Sequence, residues 1–383
     1  PLAASVLADV LFSAGAAVAP STGCLVMRDG VTLRGEGVGR TVLRPAAPAL
    51  TAVLVRNGSN QTIADLEIDG QSVASLEAGH GILQVLSAND PTIVVAGLLI
   101  ESVLVRRVGG LGVGVQNGNL SRALLRNVAT FRTGANGVDV KNRGSAENAN
   151  GVRLENIFVD TFGLQLPDQA GVDVAGIVTL SGVQVVNAGR AAVVQHGVRF
   201  AAKLPATAET WGRRSSLTGF YVRAASPAFQ VSGVQVKASD VAVSAGTIEA
   251  CFAGVRITGD PDVVSGVHVS DVTAHGAGGV GFWVDDSGGS IGTRNTFDSC
   301  TAEGGNIAFS DEGSFTNFTG CHSFNNVTDM DAGAASLSTQ QVSGNNFGNS
   351  FVALVHSLTD NPVVEARGVN ANIDLILRTK GTG

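Results

Sequence analysis

The chain has 383 residues, of which 44% are hydrophobic and only 15% charged, and its formal net charge is −7. Because no basic stripe is available to neutralise phosphates, this composition argues against a nucleic-acid partner. The longest apolar run, Thr92–Ile100, ends at Glu101. It falls well short of the roughly 20 residues that a membrane-spanning helix needs, so membrane insertion is not expected.

The first predicted element is a cap over residues 1–29. Asp9 interrupts the apolar stretch Leu2–Val18, and we therefore expect no signal peptide in this segment. The stretch instead predicts a short amphipathic helix over the first turn of a repeat array. Without such a cover, the open end of the array would expose core and unpaired strand edges.

Two types of strand alternate along the chain after the cap. The second type, which follows the first within each coil, includes Glu101–Val105, Glu155–Val159 and Ser265–Val269. A pair of strands that recurs every 20 to 35 residues or so indicates one coil per repeat, with loop insertions accounting for the variation. The first type begins with a small residue and then alternates apolar and variable positions: Gly81–Val85, Gly112–Val115, Gly137–Val140, Gly171–Val174, Ala228–Val231, Gly254–Ile257 and Gly281–Val284.

This pattern predicts an all-β fold, a single right-handed parallel β-helix (a solenoid). Period-2 alternation places one face of each strand inward, and no helical pattern of 10–15 residues separates the strands. Glycine and asparagine at the corners supply the positive φ that a tight bend needs. We assign residues 1–29 to the cap, 30–330 to the β-helix and 331–383 to a small C-terminal β tail region.

The cysteines are predicted to be core residues. Cys251, Cys300 and Cys321 are assigned to matching positions of their coils, with Val272 at that position in the intervening coil. This predicts a buried ladder of small thiols, with a Cys300–Cys321 disulfide as the alternative. No cysteine or histidine spacing indicates a metal site, and no cofactor is expected.

Two segments resemble known families. Gly30–Pro45, followed by the strand Ile63–Gly70, is similar to the first coil of the pectate-lyase-like β-helix superfamily. Its members include polysaccharide lyases, glycoside hydrolases, uronate epimerases and bacteriophage tailspikes. Asn370–Gly383 is similar to a segment near the C-termini of phage tail fibres and tailspikes, although Arg378-Thr379 departs from the usual pair before Lys380.

Together these resemblances imply a virion tailspike or tail fibre protein that binds a host surface polysaccharide and contacts other tail proteins. Such proteins are typically homotrimers, whose C-terminal parts help to hold the three chains together. Asn325–Ser350, which is rich in Asn, Gly and Ser, would then mark the change from solenoid to tail.

Candidate catalytic residues come from the strands of the first type. If Val138 and Val140 point inward, Asp139 points outward. The same logic exposes Asp173, Gln230, Arg256 and Trp283, with Asp285 next along the chain. Asp139 and Asp173 are predicted to lie in adjacent coils about 5 Å apart, which would raise the pKa of one of them. A protonated and an ionised carboxyl at that separation suit retaining glycoside hydrolysis. The alternative is a pair of surface aspartates that either point apart into solvent or are capped by the nearby Lys141 and Arg143.

Other chemistry is less sharply indicated. Asp285-Asp286 is similar to the Asp-Asp pair of polygalacturonases, but Gly79-His80-Gly81 lies upstream of it, which is the wrong order. The Asp-Pro-His signature of uronate epimerases and the arginine motifs of pectate lyases are missing. A lyase base could be Arg199, His196 or Tyr221, each of which stands alone; structural packing is the alternative for a lone histidine.

Three insertions interrupt the coils, namely Lys141–Asn150, Gly163–Ala170 and Ala201–Ser216. The first and third follow the same type of strand and should project on the same side. Because function concentrates in insertions on a rigid scaffold, the third is predicted to bind sugars. There a tryptophan would stack on a sugar ring while charged neighbours bind hydroxyls or carboxylates; the tryptophan could instead pin the loop or lie in a trimer interface. The predicted binding residues are Glu209, Trp211, Arg213 and Arg214 in this insertion, together with Arg199, Arg256 and Trp283.

Three functions remain open at this stage. The first is a tailspike that binds and depolymerises a host polysaccharide, and the second is a spike that only binds the glycan. The third is a secreted lyase or hydrolase that is unconnected to a virus. The C-terminal resemblance favours a location on the virion over secretion.

Overall fold

The computed structural model describes residues 11–12, 25–45, 47–55, 59–73, 79–85, 94–142, 151–187, 195–201, 214–228, 231–259, 264–285, 294–313, 316–332, 341–343, 346–347, 351–355 and 363–367. Over these ranges the secondary structure is all β, and no described helix is long and apolar enough to cross a membrane. The strands are β1 (Leu11–Phe12), β2 (Leu25–Met27), β3 (Thr32–Arg34), β4 (Val42–Leu43), β5 (Val53–Val55), β6 (Thr62–Asp69), β7 (Ile82–Val85), β8 (Val94–Ala96), β9 (Leu99–Val108), β10 (Val113–Ser121), β11 (Leu124–Thr133), β12 (Val138–Asn142), β13 (Arg153–Asp160), β14 (Gln169–Ala175), β15 (Thr179–Ser181), β16 (Gln184–Asn187), β17 (Gln195–Phe200), β18 (Ser216–Ala224), β19 (Ser232–Val236), β20 (Ala242–Glu249), β21 (Ala253–Thr258), β22 (His268–His275), β23 (Val280–Asp285), β24 (Thr296–Asp298), β25 (Thr301–Glu303), β26 (Ile307–Asp311), β27 (Asn317–Thr319), β28 (His322–Phe324), β29 (Thr328–Ala332), β30 (Gln341–Ser343), β31 (Asn346–Phe347), β32 (Phe351–Val355) and β33 (Val363–Arg367).

The strands wind into a parallel β-helix with three faces. Sheet 1 runs in the order β2-β5-β7-β10-β12-β14-β17-β19-β21-β23-β26-β29, with β1 antiparallel to β2 at its end. Sheet 2 contains β3, β15, β24, β27, β30 and the first halves of the long strands β6, β9, β11, β13, β18, β20 and β22. Sheet 3 contains their second halves together with β4, β16, β25, β28 and β31. Each coil thus contributes one strand to each face, which confirms the predicted fold.

The bend between sheets 2 and 3 is made by one left-handed residue per coil. Asn127 and Asn156 have φ of 53° and 54°, and the Nδ2 of Asn156 donates to Oδ1 of Asn127 at 3.1 Å. Asparagine tolerates this conformation and bonds along the stack, as predicted for the corners. Asp65, Ser102 and Ala245 occupy the same bend at φ of 52–55°. The requirement at the bend is therefore for the conformation rather than for one residue type.

Inward side chains stack into one continuous apolar core. Val138, Val172, Val198 and Val234 share a register position in successive coils, and all are fully buried. Neighbouring strands lie about 4.8 Å apart, so stacked side chains of equal size pack directly on one another. In later coils this position is filled by phenylalanine, for example Phe282 and Phe309, whose rings stack at 5.2 Å.

Several sequence-based details are corrected. Residues 11–12, within the predicted cap helix, form a strand, and the rest of that stretch lies outside the described residues. The predicted strand Ala228–Val231 is displaced, because sheet 1 is formed by β19 instead; Gln230 lies outside the described residues. Parallel pairing continues past residue 330 through β30 and β31, and β32 and β33 form an antiparallel hairpin. The remainder of the predicted C-terminal segment, including Asn370–Gly383, lies outside the described residues.

The cysteine ladder is shorter than predicted. Val272, Cys300 and Cys321 do share one corner, between sheets 2 and 3, and are buried there. Cys251 follows β20 at the other end of sheet 3, where its carbonyl accepts the Gly278 N–H at 3.0 Å. It is therefore not aligned with Cys300, and Gly246 takes the expected place. Cys300 and Cys321 carry thiols rather than the alternative disulfide.

Candidate functional site

One column on sheet 1, on the side away from the core, brings together five of the predicted site residues. Register pairs connect Asp139 to Asp173, Asp173 to Arg199, Arg199 to Gln235, Gln235 to Arg256, and Arg256 to Trp283. Five steps between strands make this column about 24 Å long. The predicted adjacency of the two aspartates and the shared face of Arg256 and Trp283 are confirmed.

Arg199 belongs to the column and is not the lone residue that the sequence predicts. Gln235 occupies the column position that was predicted for Gln230. The signal was present in both cases, because Gly197-Val-Arg-Phe and Gly233-Val-Gln-Val repeat the glycine-led strand pattern. The long insertion between the coils obscured that register. We call the six residues Asp139, Asp173, Arg199, Gln235, Arg256 and Trp283 the sheet 1 column.

The two aspartates are cross-linked by buried polar groups. Lys141 lies two residues after Asp139 and so faces the same way. Its Nζ is 3.2 Å from Oδ1 of Asp139 and 2.8 Å from Oδ1 of Asp173. Asn136 Nδ2 donates to Oδ2 of both aspartates, at 3.1 and 3.3 Å. Arg199 Nη2 adds a bond of 2.6 Å to Oδ2 of Asp173.

These contacts determine the ionisation of Asp173. Burial alone would raise the pKa of its carboxyl, but the charges of Lys141 and Arg199 and their hydrogen bonds outweigh burial and hold the pKa at about 2. The pKa of Lys141 is raised, since the two carboxylates outweigh its own desolvation. Asp173 is therefore not the carboxyl whose pKa stacking would raise. Its pKa is shifted in the opposite direction to that of a general acid.

A second group lies beside Arg199, where the insertion between sheets 3 and 1 leads into β14. Asp168 Oδ1 is 2.9 Å from Arg199 Nη1 and 3.3 Å from His196 Nε2. On the other side of the ring, His196 Nδ1 is 2.9 Å from the hydroxyl of Ser232. Burial lowers the pKa of His196, and the nearby Arg199 and Arg256 charges add to this effect, although Asp168 opposes it. The imidazole is thus disposed to be neutral at pH 7.

Asp168, His196 and Ser232 are the residue types of a hydrolytic triad, but their exposure is reversed. Ser232 is fully buried, whereas the Asp168 side chain is 66% exposed. In a triad the serine must reach the substrate and the carboxylate stays buried behind the histidine. This arrangement therefore orients His196 rather than activating a nucleophile.

Arg256, Trp283 and Asp285 form the far end of the site. Arg256 Nε donates to Oδ2 of Asp285 at 2.7 Å, and its Nη2 contacts the same oxygen. The guanidinium also lies 4.8 Å from the centre of the Trp283 ring, in cation–π range. Asp285 is buried, while Arg256 and Trp283 are partly exposed. Asp286, the other half of the predicted pair, lies outside the described residues.

The remaining candidates are not brought to this column. Tyr221 is on sheet 3, where its hydroxyl donates to Glu249 at 2.8 Å. Arg214 is exposed at the turn that precedes β18. His80, in the Gly79-His80-Gly81 motif, accepts the Leu111 N–H at Nδ1 at 2.9 Å. Glu209, Trp211 and Arg213 lie outside the described residues, so their predicted roles stay predictions. No group of three or more His, Cys, Asp or Glu suited to a metal ion occurs in the described part of the chain.

Comparison with known proteins shows the fold. No family model matches the chain, and no curated protein matches its sequence. The A-module of mannuronan C-5 epimerase AlgE6 from Azotobacter vinelandii is similar, with a TM-score of 0.62 and 20% identity over 87% of each chain. The AlgE4 A-module from the same organism gives 0.57 and 19% over 84% of each chain.

The catalytic domain of a GH87 alpha-1,3-glucanase variant in complex with nigerose is a further structural neighbour. Its TM-score is 0.54 at 12% identity, over 84% of this chain and 63% of that one. At such identities the similarity is one of fold alone, a right-handed parallel β-helix of the pectate-lyase-like type. The comparisons therefore show that the chain has the fold of a right-handed parallel β-helix.

Proposed function

We propose that this chain binds a polysaccharide along the outer face of sheet 1. The observation that carries the proposal is the sheet 1 column, which places polar, cationic and aromatic groups at one register position over six successive coils. Asp139, Asp173 and Gln235 are buried, so the accessible part of the column runs from Arg199 to Trp283, three strand steps or about 14 Å, which suits a segment of an extended polymer.

The chemistry of the exposed groups supports a sugar ligand. Trp283 and Arg256 are partly exposed beside each other, whereas Gln235, which adjoins Arg256 in the register, is buried. An indole ring packs on the apolar face of a sugar, and a guanidinium group bonds its hydroxyls.

Two further lines favour a polysaccharide on a host surface. Proteins of similar fold are named as a mannuronan epimerase and an alpha-1,3-glucanase, both of which act on polysaccharides. The resemblance of Asn370–Gly383 to tail fibre and tailspike proteins supports a virion spike. We therefore propose a homotrimeric, virion-borne protein that contacts other tail proteins and recognises the host glycan.

Binding without cleavage is the form of this function that the aspartate pair favours. Asp173 is ionised and bonded to Lys141 and Arg199, so it is unsuited to protonate a glycosidic oxygen. Depolymerisation, by a virion protein or by a secreted enzyme, would need an acid or base other than Asp173.

The test is binding of the full chain to surface polysaccharides from candidate hosts. Trp283→Leu and Arg256→Gln should each weaken binding at least about tenfold, or 1.4 kcal/mol. Arg223→Gln is the matched control, because Arg223 is exposed on sheet 3 and should leave binding unchanged. Equal binding by all three variants, or no bound polysaccharide, would contradict the proposal.

The same samples distinguish the alternatives. Size exclusion of the polysaccharide after incubation shows whether the polymer is shortened, and absorbance of unsaturated uronate distinguishes a lyase from a hydrolase. Sedimentation equilibrium gives the oligomeric state, for which we expect a trimer. A monomer would favour a secreted protein over a virion spike.

A further inference from the structure

We propose that Arg199 and His196 form an anion-binding position beside the sheet 1 column. Asp168, a carboxylate of the chain itself, occupies this position and competes with an anionic ligand for it. An acidic group of a glycan would enter this position by exchange with Asp168. The inference rests on the proposed function for its choice of ligand, and it adds how access to that site is controlled.

The contrast in exposure is the first observation. The Asp168 side chain is 66% exposed, whereas those of Arg199 and His196 are 13% and 2% exposed. Oδ1 of Asp168 nevertheless lies within 2.9 Å of Arg199 Nη1 and 3.3 Å of His196 Nε2. Asp168 thus covers two nitrogen donors from the solvent side, as the anion of a bound ligand would.

Arg199 is held ready for such an anion. Its Nη2 bonds Asp173 at 2.6 Å, so one end of the guanidinium is fixed from within the site. Its Nη1 faces Asp168, and it also bonds the Asp168 carbonyl at 3.1 Å. A planar guanidinium anchored in this way presents its remaining donors in a fixed direction, which suits carboxylate, sulfate or phosphate.

Asp168 lies among donors and positive charges. The hydrogen bond from His196 lowers the pKa of the Asp168 carboxyl, and the charges of Arg199 and Lys237 lower it further, although burial opposes them. An anion of a ligand in place of the Asp168 carboxylate would meet the same hydrogen-bond donor and the same positive charges.

The backbone at Asp168 is held on both sides, and its side chain is free to turn toward solvent. Before it stands the turn around Phe162 and Leu166: Phe162 is fully buried, and Leu166 packs against the cluster that includes Leu111 and Ala135. Asp168 itself has a φ of 53°, and β14 begins at the next residue. Because the Asp168 side chain is 66% exposed, its rotation would withdraw the carboxylate while the turn and β14 stay packed.

The expected strength of the competitor is modest. An ion pair with one partner largely in water contributes about 0–1 kcal/mol, because solvent screens it. Removal of the Asp168 charge should therefore raise the affinity for an anion about threefold to fivefold, and the gain should shrink as salt is added.

The test measures binding of an oligogalacturonate and of its neutral methyl ester to the full chain, by calorimetry at low and high salt. Asp168→Asn should bind the acid about threefold to fivefold more tightly and the ester unchanged. Asp160→Asn, which alters a carboxylate on sheet 3, is the matched control and should behave as the wild type. Arg199→Gln combined with Asp168→Asn should lose the gain.

The results separate this inference from the proposed function, because the acid probe tests the position directly. Unchanged or weaker acid binding by Asp168→Asn, or no acid binding by either protein, would overturn the inference. Host polysaccharide binding that persists despite that result would leave the proposed function standing. A gain for the acid without any host polysaccharide bound would support the inference and contradict the proposed function.

Discussion

Lys141 Nζ lies between two buried, stacked carboxylates, 3.2 Å from that of Asp139 and 2.8 Å from that of Asp173. The two aspartates share a register position in neighbouring coils, so their separation is imposed by the strand spacing. The positive charge of Lys141 offsets the repulsion between the two carboxylates.

Lys141→Met should lower the free energy of unfolding by about 3–5 kcal/mol, because it removes the cation that the two buried carboxylates share and leaves Arg199 to pair with Asp173 alone. Denaturant titration at pH 7 measures the loss. Asp139→Asn in the same chain should recover part of it by removing one of the two negative charges. A double variant no more stable than Lys141→Met would show that repulsion between the aspartates is not the cause.

Gln84→Met should raise the free energy of unfolding by about 1–3 kcal/mol, the usual cost of an unsatisfied buried polar group. Gln84 shares the inward position of Val55 and Val115, and neither atom of its amide has a partner among the described residues. Denaturant titration is again the measurement.

Gln195→Met is the matched control for this change. Gln195 is equally buried, but its Nε2 donates to the carbonyls of Phe162 and Gly163 at 3.2 and 3.0 Å. Its Oε1 accepts from Asn187 at 2.6 Å. This substitution should therefore destabilise the fold by about 1–3 kcal/mol. If Gln84→Met and Gln195→Met shift the free energy of unfolding in the same direction, the unsatisfied amide of Gln84 does not explain the change.

His80→Asn should weaken the dependence of stability on pH. Burial lowers the pKa of His80 to about 4, below the ordinary 6.5. The unfolded chain therefore takes up a proton first as pH falls. Stability linked to this group is complete above pH 6.5 and is lost between pH 6.5 and 4, by about 2.5 kcal/mol at pH 4.5.

Unfolding free energies of wild type and variant at pH 7 and pH 4.5 give the comparison. An asparagine Oδ1 can accept the Leu111 N–H that Nδ1 of His80 accepts at 2.9 Å, so the fold should survive the change. Identical losses between the two pH values in both proteins would contradict a depressed pKa at His80.

Gly137→Ala should destabilise the fold by at least about 3 kcal/mol, in the upper range for overpacking. A Cβ at Gly137 would lie 2.5 Å from Cγ1 of Val159 and 2.7 Å from the Gly171 carbonyl oxygen. Gly276→Ala is the control: its Cβ would meet nothing within 4 Å, and only its φ of 59° opposes alanine. That change should lower the free energy of unfolding by about 1–2 kcal/mol, which denaturant titration measures. Equal losses of unfolding free energy at the two sites would argue that steric exclusion of a Cβ is not the reason for glycine at position 137.

The repeat was readable from sequence because each coil obeys local rules. The glycine-led strands are glycine-led because a Cβ at Gly112 or Gly171 would lie within 3 Å of the next coil's carbonyl oxygen. Alternation of apolar and polar residues then decides which side chains face the core. Register errors arose only where an insertion separated coils, as at Gln235, or where two corners look alike, as at Cys251.

The sequence by itself determined the parallel β-helix, the outward face of Asp139, Asp173, Arg256 and Trp283, and their near alignment, because strand period and coil spacing are local properties. Only the tertiary structure decided how these groups are ionised and covered. Lys141 and Arg199 neutralise Asp173. Asp168 contacts Arg199 from the insertion that leads into β14. A pKa depends on distances of a few ångströms between side chains of different coils, which no pattern along the chain specifies.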